Sequence, residues 1–220
     1  MSVGIAAVTL FPGRTGGFLS DGARLLRLAS GGPAAEREAT ILAVFARAMS
    51  GVRPRDWDGP RLAAATAVED GDAMEESARA LATARTFDRG DAAEARRQLA
   101  RRVALWGAIP PPVRGGLAAD AALFEAAVRG DAGRARAWLD RVPPRTALAD
   151  PASVALAEAF VAHAEGDAAT ARERAAVVRD ASDALDAGTT AARLDWLAAL
   201  EAPPTIDPPD PSGTVPRGGA

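Results

Sequence analysis

The chain has 220 residues and a formal net charge of −3, from 26 basic and 29 acidic residues, and every basic residue is arginine. Those arginines are interleaved with acids, so the net basic stripe that a nucleic-acid surface needs is missing and no nucleic-acid partner is expected. Cysteine is absent, which removes disulfides, thiolate catalysis and cysteine-based zinc sites; a hydrophobic content of 48% with only 5% aromatics means that alanine fills helices.

Residues 1–59 form a first zone. An apolar opening, Val3 to Phe11, leads into a Gly-rich loop, Pro12 to Gly17; a short helix follows from about Ala23 to Ala29, then a longer one from about Pro33 to Met49. A membrane span needs about 20 apolar residues. Val3 to Phe11 is too short for that, and Ile41 to Met49 is interrupted by Arg47. Met1-Ser2 supplies none of the positive charge that opens a signal peptide. Gly13, Gly16 and Gly17 do not make a phosphate loop, whose pattern requires a lysine. The zone is expected to lie in the cytoplasm, touching the cytoplasmic face of a membrane through residues 1–50.

Residues 60–201 are organised by one heptapeptide pattern in three copies. They read Gly90-Asp91-Ala92-Ala93-Glu94-Ala95-Arg96, Gly130-Asp131-Ala132-Gly133-Arg134-Ala135-Arg136 and Gly166-Asp167-Ala168-Ala169-Thr170-Ala171-Arg172, at intervals of 40 and 36 residues. Glycine can take the left-handed conformation that ends one helix, and the aspartate after it can cap the next, so each dipeptide predicts a corner between antiparallel helices. Beyond each corner the stripes Ala92, Ala95, Leu99, Val103, then Ala132, Ala135, Leu139, Val142, then Ala168, Ala171, Ala175, Val178 recur at helical spacing, small near the turn and larger beyond it. The preceding helices carry Ala84 and Phe87, Phe124 and Ala127, and Phe160 with His163. Breaks are expected at Gly71, Gly90, Pro110 to Pro112, Gly130, Pro143-Pro144, Gly166 and Gly188. A last helix from about Thr190 to Glu201 would cover the open end of the array, and the Pro- and Gly-rich residues 202–220 read as a disordered tail.

Within the array, Glu69, Asp70, Asp72, Glu75 and Glu76 read as acids complementing a helix dipole. Trp57, Trp106, Trp138 and Trp196 read as core or inter-hairpin packing, and Arg96-Arg97, Arg101-Arg102, Arg134, Arg136 and Arg141 as a solvated face. His163 occupies the position of Phe87 and Ala127 before its corner, which predicts a packed, hydrogen-bonded histidine.

On these residues the array resembles the tetratricopeptide-like class of α-solenoids, with intervals longer than that class's usual ~34 residues and without its larger consensus residues. The expected fold is all-α: a solenoid of tetratricopeptide-like helical hairpins over 60–201, a short helical N-terminal segment over 1–59 and the tail over 202–220.

The run Gly16-Gly17-Phe18-Leu19-Ser20-Asp21-Gly22-Ala23-Arg24-Leu25-Leu26-Arg27-Leu28, preceded by Leu10-Phe11-Pro12, resembles the C-terminal part of the catalytic domain of the site-2-protease group of membrane metallopeptidases, family M50, over roughly residues 1–58. The resemblance implies that Asp21, in the Asp-Gly followed by Arg-Leu-Leu, matches that group's third zinc ligand. Such enzymes also need HExxH to hold zinc and activate water, and this chain has one histidine, His163, and no HExxH. A helix N-cap is the plain reading of Asp21 beside it.

Two functions follow. In one, the chain is a C-terminal fragment of such a metallopeptidase, inactive alone, with no cofactor of its own and zinc belonging to a longer parent; its helical-repeat domain binds a protein or substrate. In the other, it is a free-standing tetratricopeptide-like scaffold that binds a protein or peptide on its repeat surface.

Overall fold

The computed structural model describes residues 13–15, 18–143, 149–181 and 187–201. The expectations for Val3 to Phe11, Leu10-Phe11-Pro12, Pro144 and the 202–220 tail fall outside them. The fold is all-helical apart from one two-residue ladder. It pairs β1 (Arg14–Thr15) antiparallel with β2 (Phe18–Leu19), Arg14 opposite Leu19 and Thr15 opposite Phe18, within and just beyond the expected Gly-rich loop.

Helices α1 (Asp21–Ser30) and α2 (Pro33–Met49) come next, joined by Gly31 and Gly32 at φ 70° and 84°, conformations that side chains disfavour. A 3-10 turn at Pro54–Asp56 leads to α3 (Gly59–Thr66) and α4 (Ala73–Asp88). Ile41, Val44 and Ala48 of α2, Trp57, Leu62 and Ala65, and Ala78 and Leu81 of α4 form one apolar cluster. It runs through position 59 without a break, and the Trp57 indole N–H donates to the Val52 carbonyl at 3.0 Å inside it.

Three helical hairpins follow from the three corners. The first pairs α4 with α5 (Ala92–Ala104), the second α6 (Arg114–Ala127) with α7 (Ala132–Leu139), and the third α8 (Pro151–Ala164) with α9 (Ala168–Asp180). Gly90, Gly130 and Gly166 have φ of 72°, 63° and 81°. The aspartate after each caps the next helix, Asp91 accepting from the Glu94 N–H, Asp131 from Arg134 and Asp167 from Thr170, at 2.9–3.0 Å. At the first and third corners the aspartate N–H also reaches back five residues, to the Thr86 and Ala162 carbonyls at 2.9 Å, closing the helix end in a Schellman motif. The middle corner is one residue wider, with the Asp131 N–H on the Glu125 carbonyl at 3.0 Å.

Of each predicted stripe, the middle positions are buried: Ala95 and Leu99, Ala135 and Leu139, Ala171 and Ala175. Ala92 and Ala168 are exposed, because each is the first residue of its helix and projects beside the corner. Buried alanines on α6 (Ala118, Ala119, Ala122) and on α8 (Ala155, Ala157, Ala159) let these two helices pack closely.

The last helix, α10 (Ala187–Glu201), departs from expectation in two ways. Gly188 does not break a helix; it lies in the first turn of α10, where a Cβ would stand 2.2 Å from the Val52 carbonyl oxygen, so glycine serves close approach. Nor does α10 lie only on the end of the array. It packs on α8 and α9, and it also reaches α2 and the 3-10 turn. Leu197 is fully buried in the α6–α8–α9 cluster, and the Trp196 ring meets Phe87 edge-on, 4.7 Å between centroids at 81°. Ion pairs flank this seam: Arg53 joins Asp88 at 2.7 Å and Asp195, and Arg193 joins Asp150 at 2.5 Å.

Candidate interaction groove

α5 packs on α4 and α6, and α7 on α6 and α8, which leaves a groove above α6 between α5 and α7. Its volume is about 510 Å³, within the range of ~300–1,000 Å³ typical of ligand sites. The floor is apolar: Leu99 and Val103 come from α5, Ala121 and Phe124 from α6, and Trp138 from α7. Trp138 is held by Trp106, which follows α5, with ring centroids 5.9 Å apart at 53°. The indoles expected as inter-hairpin packing therefore also build a surface.

Arginines surround that floor. Arg96, Arg129, Arg134 and Arg141 line the groove with a single carboxylate, Glu125. Arg129 pairs with Glu125 at 3.3 Å, and Arg134 with its own cap, Asp131, at 3.4 Å. The Arg141 guanidinium carbon lies over the Trp138 ring, 4.3 Å from its centroid. Among the described residues neither Arg96 nor Arg141 has a carboxylate partner.

Other ionic groups behave differently from expectation. Asp70, Asp72 and Glu75 do more than complement a dipole. Buried Arg37 makes a two-pronged bond to Asp70 and a third to Asp72, all at 2.9 Å, while Asp72 also caps α4. Fully buried Glu75 accepts from Arg79 at 3.0 Å, Arg101 at 2.7 Å and the Gly71 N–H at 2.8 Å. Burial pushes the Glu75 carboxyl up, and these three donors together outweigh it and hold the group below its ordinary value. Arg102 is a correction to the solvated face: it is buried, joining Glu76 at 3.0 Å to Asp120 at 2.9 Å and so tying α4, α5 and α6 together. Arg136 stays exposed and bonds Glu165 of the next hairpin at 2.9 and 2.5 Å, which holds the Glu165 carboxyl below its usual range.

Sequence reasoning missed Arg37, Glu38 and Arg79. A signal existed for the first two, since Ala35, Glu38, Ile41, Val44 and Ala48 share one helical period and Arg37 falls on the same face.

Asp21 is the exposed first residue of α1 and is not its cap. The cap is Ser20, whose Oγ accepts from the Ala23 N–H at 3.3 Å and the Gly13 N–H at 3.0 Å. His163 is exposed near the end of α8, beside Ala168, Arg172 and Leu200, and not packed as expected. Among the described residues no three His, Cys, Asp or Glu side chains converge to hold a metal ion, so these residues do not fit a zinc centre. Leu25 and Leu26 on α1 and Leu42, Phe45 and Met49 on α2 are exposed, Phe45 at 51% and Met49 at 61%. No helix among the described residues is long and apolar enough to cross a membrane.

Compared with protein-family models, curated protein sequences and solved structures, the chain matches none.

Proposed function

We propose that this chain is a tetratricopeptide-like α-solenoid that binds a segment of another protein in the groove between α5 and α7. One observation carries the reading: above buried Leu99 and Phe124, the half-buried Val103 and Trp138 side chains leave the groove's apolar floor partly open, although α4, α6 and α8 bury their faces around it. Contiguous open apolar surface with a polar rim is the usual mark of a partner site. The recurring corner geometry supports the repeat assignment, and α10 packs on the third hairpin while its Trp196 meets Phe87 of the first.

The test uses the full chain with a photoreactive residue at exposed Ala100 or Ala137 in the groove, and at exposed Glu173 as control, followed by mass spectrometry of adducts formed in the source cells. A discrete protein adduct from the groove positions alone is expected. Equal adduct patterns from all three positions would sink the reading.

The exposed apolar residues of α1 and α2 favour a second reading. In it, residues 1–58 are the end of a site-2-protease-like domain whose zinc-binding HExxH lies in a longer parent, and the hairpins present its substrate. Asp21 would then be a ligand only beside residues this chain does not contain. Sequencing the DNA upstream of Met1 tests it: an in-frame HExxH on an apolar helix is required.

A further inference from the structure

We infer that the occupant of the α5–α7 groove is an acidic peptide segment, one that places an aromatic or branched apolar side chain on the Trp138–Phe124 floor and carboxylates on the Arg96 and Arg141 sides. This deepens the proposed binding function and rests on it.

Charge complementarity is the first argument. The chain as a whole is acidic, at −3, yet this groove collects four arginines against one glutamate. The second argument is how arginine is used elsewhere. Arg24, Arg37, Arg53, Arg79, Arg101, Arg102, Arg136 and Arg193 each meet a carboxylate, while Arg85, Arg89, Arg114 and Arg172 are held by backbone carbonyls. Arg96 and Arg141, on opposite sides of the groove, meet no carboxylate among the described residues. The cation–π contact with Trp138, 4.3 Å from guanidinium carbon to ring centroid, holds the Arg141 head group against the groove, so less ordering entropy is lost on binding.

The floor decides which anion fits. Glu125, largely buried, puts a carboxylate at the base of the groove with Arg129 as its partner at 3.3 Å. With Glu125 matched by Arg129 at the base, Arg96 and Arg141 are left as the groove's cations for an occupant's acids at the rim. The apolar floor in turn disfavours a free small anion, which has nothing to place on Leu99 and Phe124. A peptide carrying both kinds of group satisfies rim and floor together.

The experiment displays a random-sequence peptide library to the immobilised full chain, and repeats the selection on Arg96→Glu/Arg141→Glu and on Ala137→Trp. All three positions are exposed, so the variants keep the fold, and the tryptophan fills the groove. Enrichment of peptides combining Asp or Glu with an aromatic or Leu is expected, with affinity falling about tenfold on the charge reversal and vanishing with Ala137→Trp. Peptides blocked by Ala137→Trp but carrying no acidic excess and indifferent to the charge reversal would overturn the acidic occupant and leave the groove as a binding site. Tighter binding when phosphoserine replaces the selected acids would also overturn it, in favour of a phosphopeptide. If no selected peptide is sensitive to Ala137→Trp, groove and occupant both fall.

Discussion

The N-terminal helices and the hairpin array use the same Gly-Asp corner and then hold together by different means. Between α2 and α5 the interior is polar as well as apolar: Arg37, Glu38, Glu75, Arg79 and Arg102 are all buried and linked through ion pairs. Between α6, α8 and α9 most of the buried side chains are alanine, with Leu123, Leu156, Val161 and Val178 among them. Ionic burial specifies one geometry, because each fork and carboxylate must find its counterpart, but it contributes little net stability. Alanine packing lets helices approach closely, and it fails when volume is added. The two regions should therefore break under opposite substitutions.

The largest effect is expected at Glu75. Its replacement by alanine removes the buried one of Arg79's two carboxylates, leaving only the more exposed Glu69 at 2.6 Å, and deprives Arg101 and the Gly71 N–H of an acceptor. Removing one member of a buried pair typically costs about 3–5 kcal/mol. Chemical denaturation of Glu75→Ala should show a loss of that size, while a loss under about 1 kcal/mol would mean the network behaves as a surface one. The pH dependence follows with a definite sign. A carboxyl held below its unfolded value contributes stability that is fully present above that value, near pH 4.3 for glutamate, and is lost as pH falls through the folded one. Acid unfolding of the wild type should draw on this contribution, and Glu75→Gln should flatten that limb of the profile.

Next in size is the seam where α10 joins the two regions. Gly188→Ala places a methyl group 2.2 Å from the Val52 carbonyl oxygen and 2.6 Å from its carbon, both backbone atoms that cannot swing aside. Overpacking of this kind costs about 1–3 kcal/mol. The expected readout separates it from an ordinary core defect: hydrogen exchange should quicken in α10 and around Val52, with the Gly166 corner little changed. Uniform loosening of the whole chain would show that α10 is not a distinct seam.

What the sequence showed, and what it hid, follows the range of each interaction. The corners were legible because a Gly-Asp dipeptide carries its own chemistry within a few residues, and φ of 63–81° with a bonded aspartate was found at each. The ionic core was not, since Arg37 lies 33 residues from Asp70 and Arg101 lies 26 from Glu75, and nothing local to an arginine says which carboxylate it meets. Gly188 shows the same limit. Glycine marks either a turn or a close approach, and only the position of Val52 decides between them. For the groove, Trp138 and the arginines were each visible, while their convergence depends on how α5 and α7 sit over α6. The N-cap expected of Asp21 failed by one residue, because Ser20 immediately before it is an equally good cap.

The smallest effect is also the most pointed comparison, since Asp72 and Asp131 occupy the same place in two corners. Asp131 accepts from the Arg134 N–H at 2.9 Å and meets the exposed Arg134 side chain at 3.4 Å, so Asp131→Ala removes little beyond a cap, about 1 kcal/mol. Asp72 accepts from the Met74 and Glu75 N–H groups at 2.8 and 2.9 Å and also from buried Arg37 at 2.9 Å. Its removal should therefore cost more than Asp131→Ala, by the loss of one ligand of a buried guanidinium that keeps Asp70 as its other partner. Introducing Arg37→Met alongside each aspartate variant isolates that difference. The gap between Asp72→Ala and Asp131→Ala should close when Arg37 is gone, because each aspartate then keeps its cap and one further arginine, Arg27 at 3.3 Å from Asp72 and Arg134 at 3.4 Å from Asp131. A gap that persists in the Met background would place the difference in the corners themselves, and the contrast between an ionic and an alanine-packed region would lose its basis at this position.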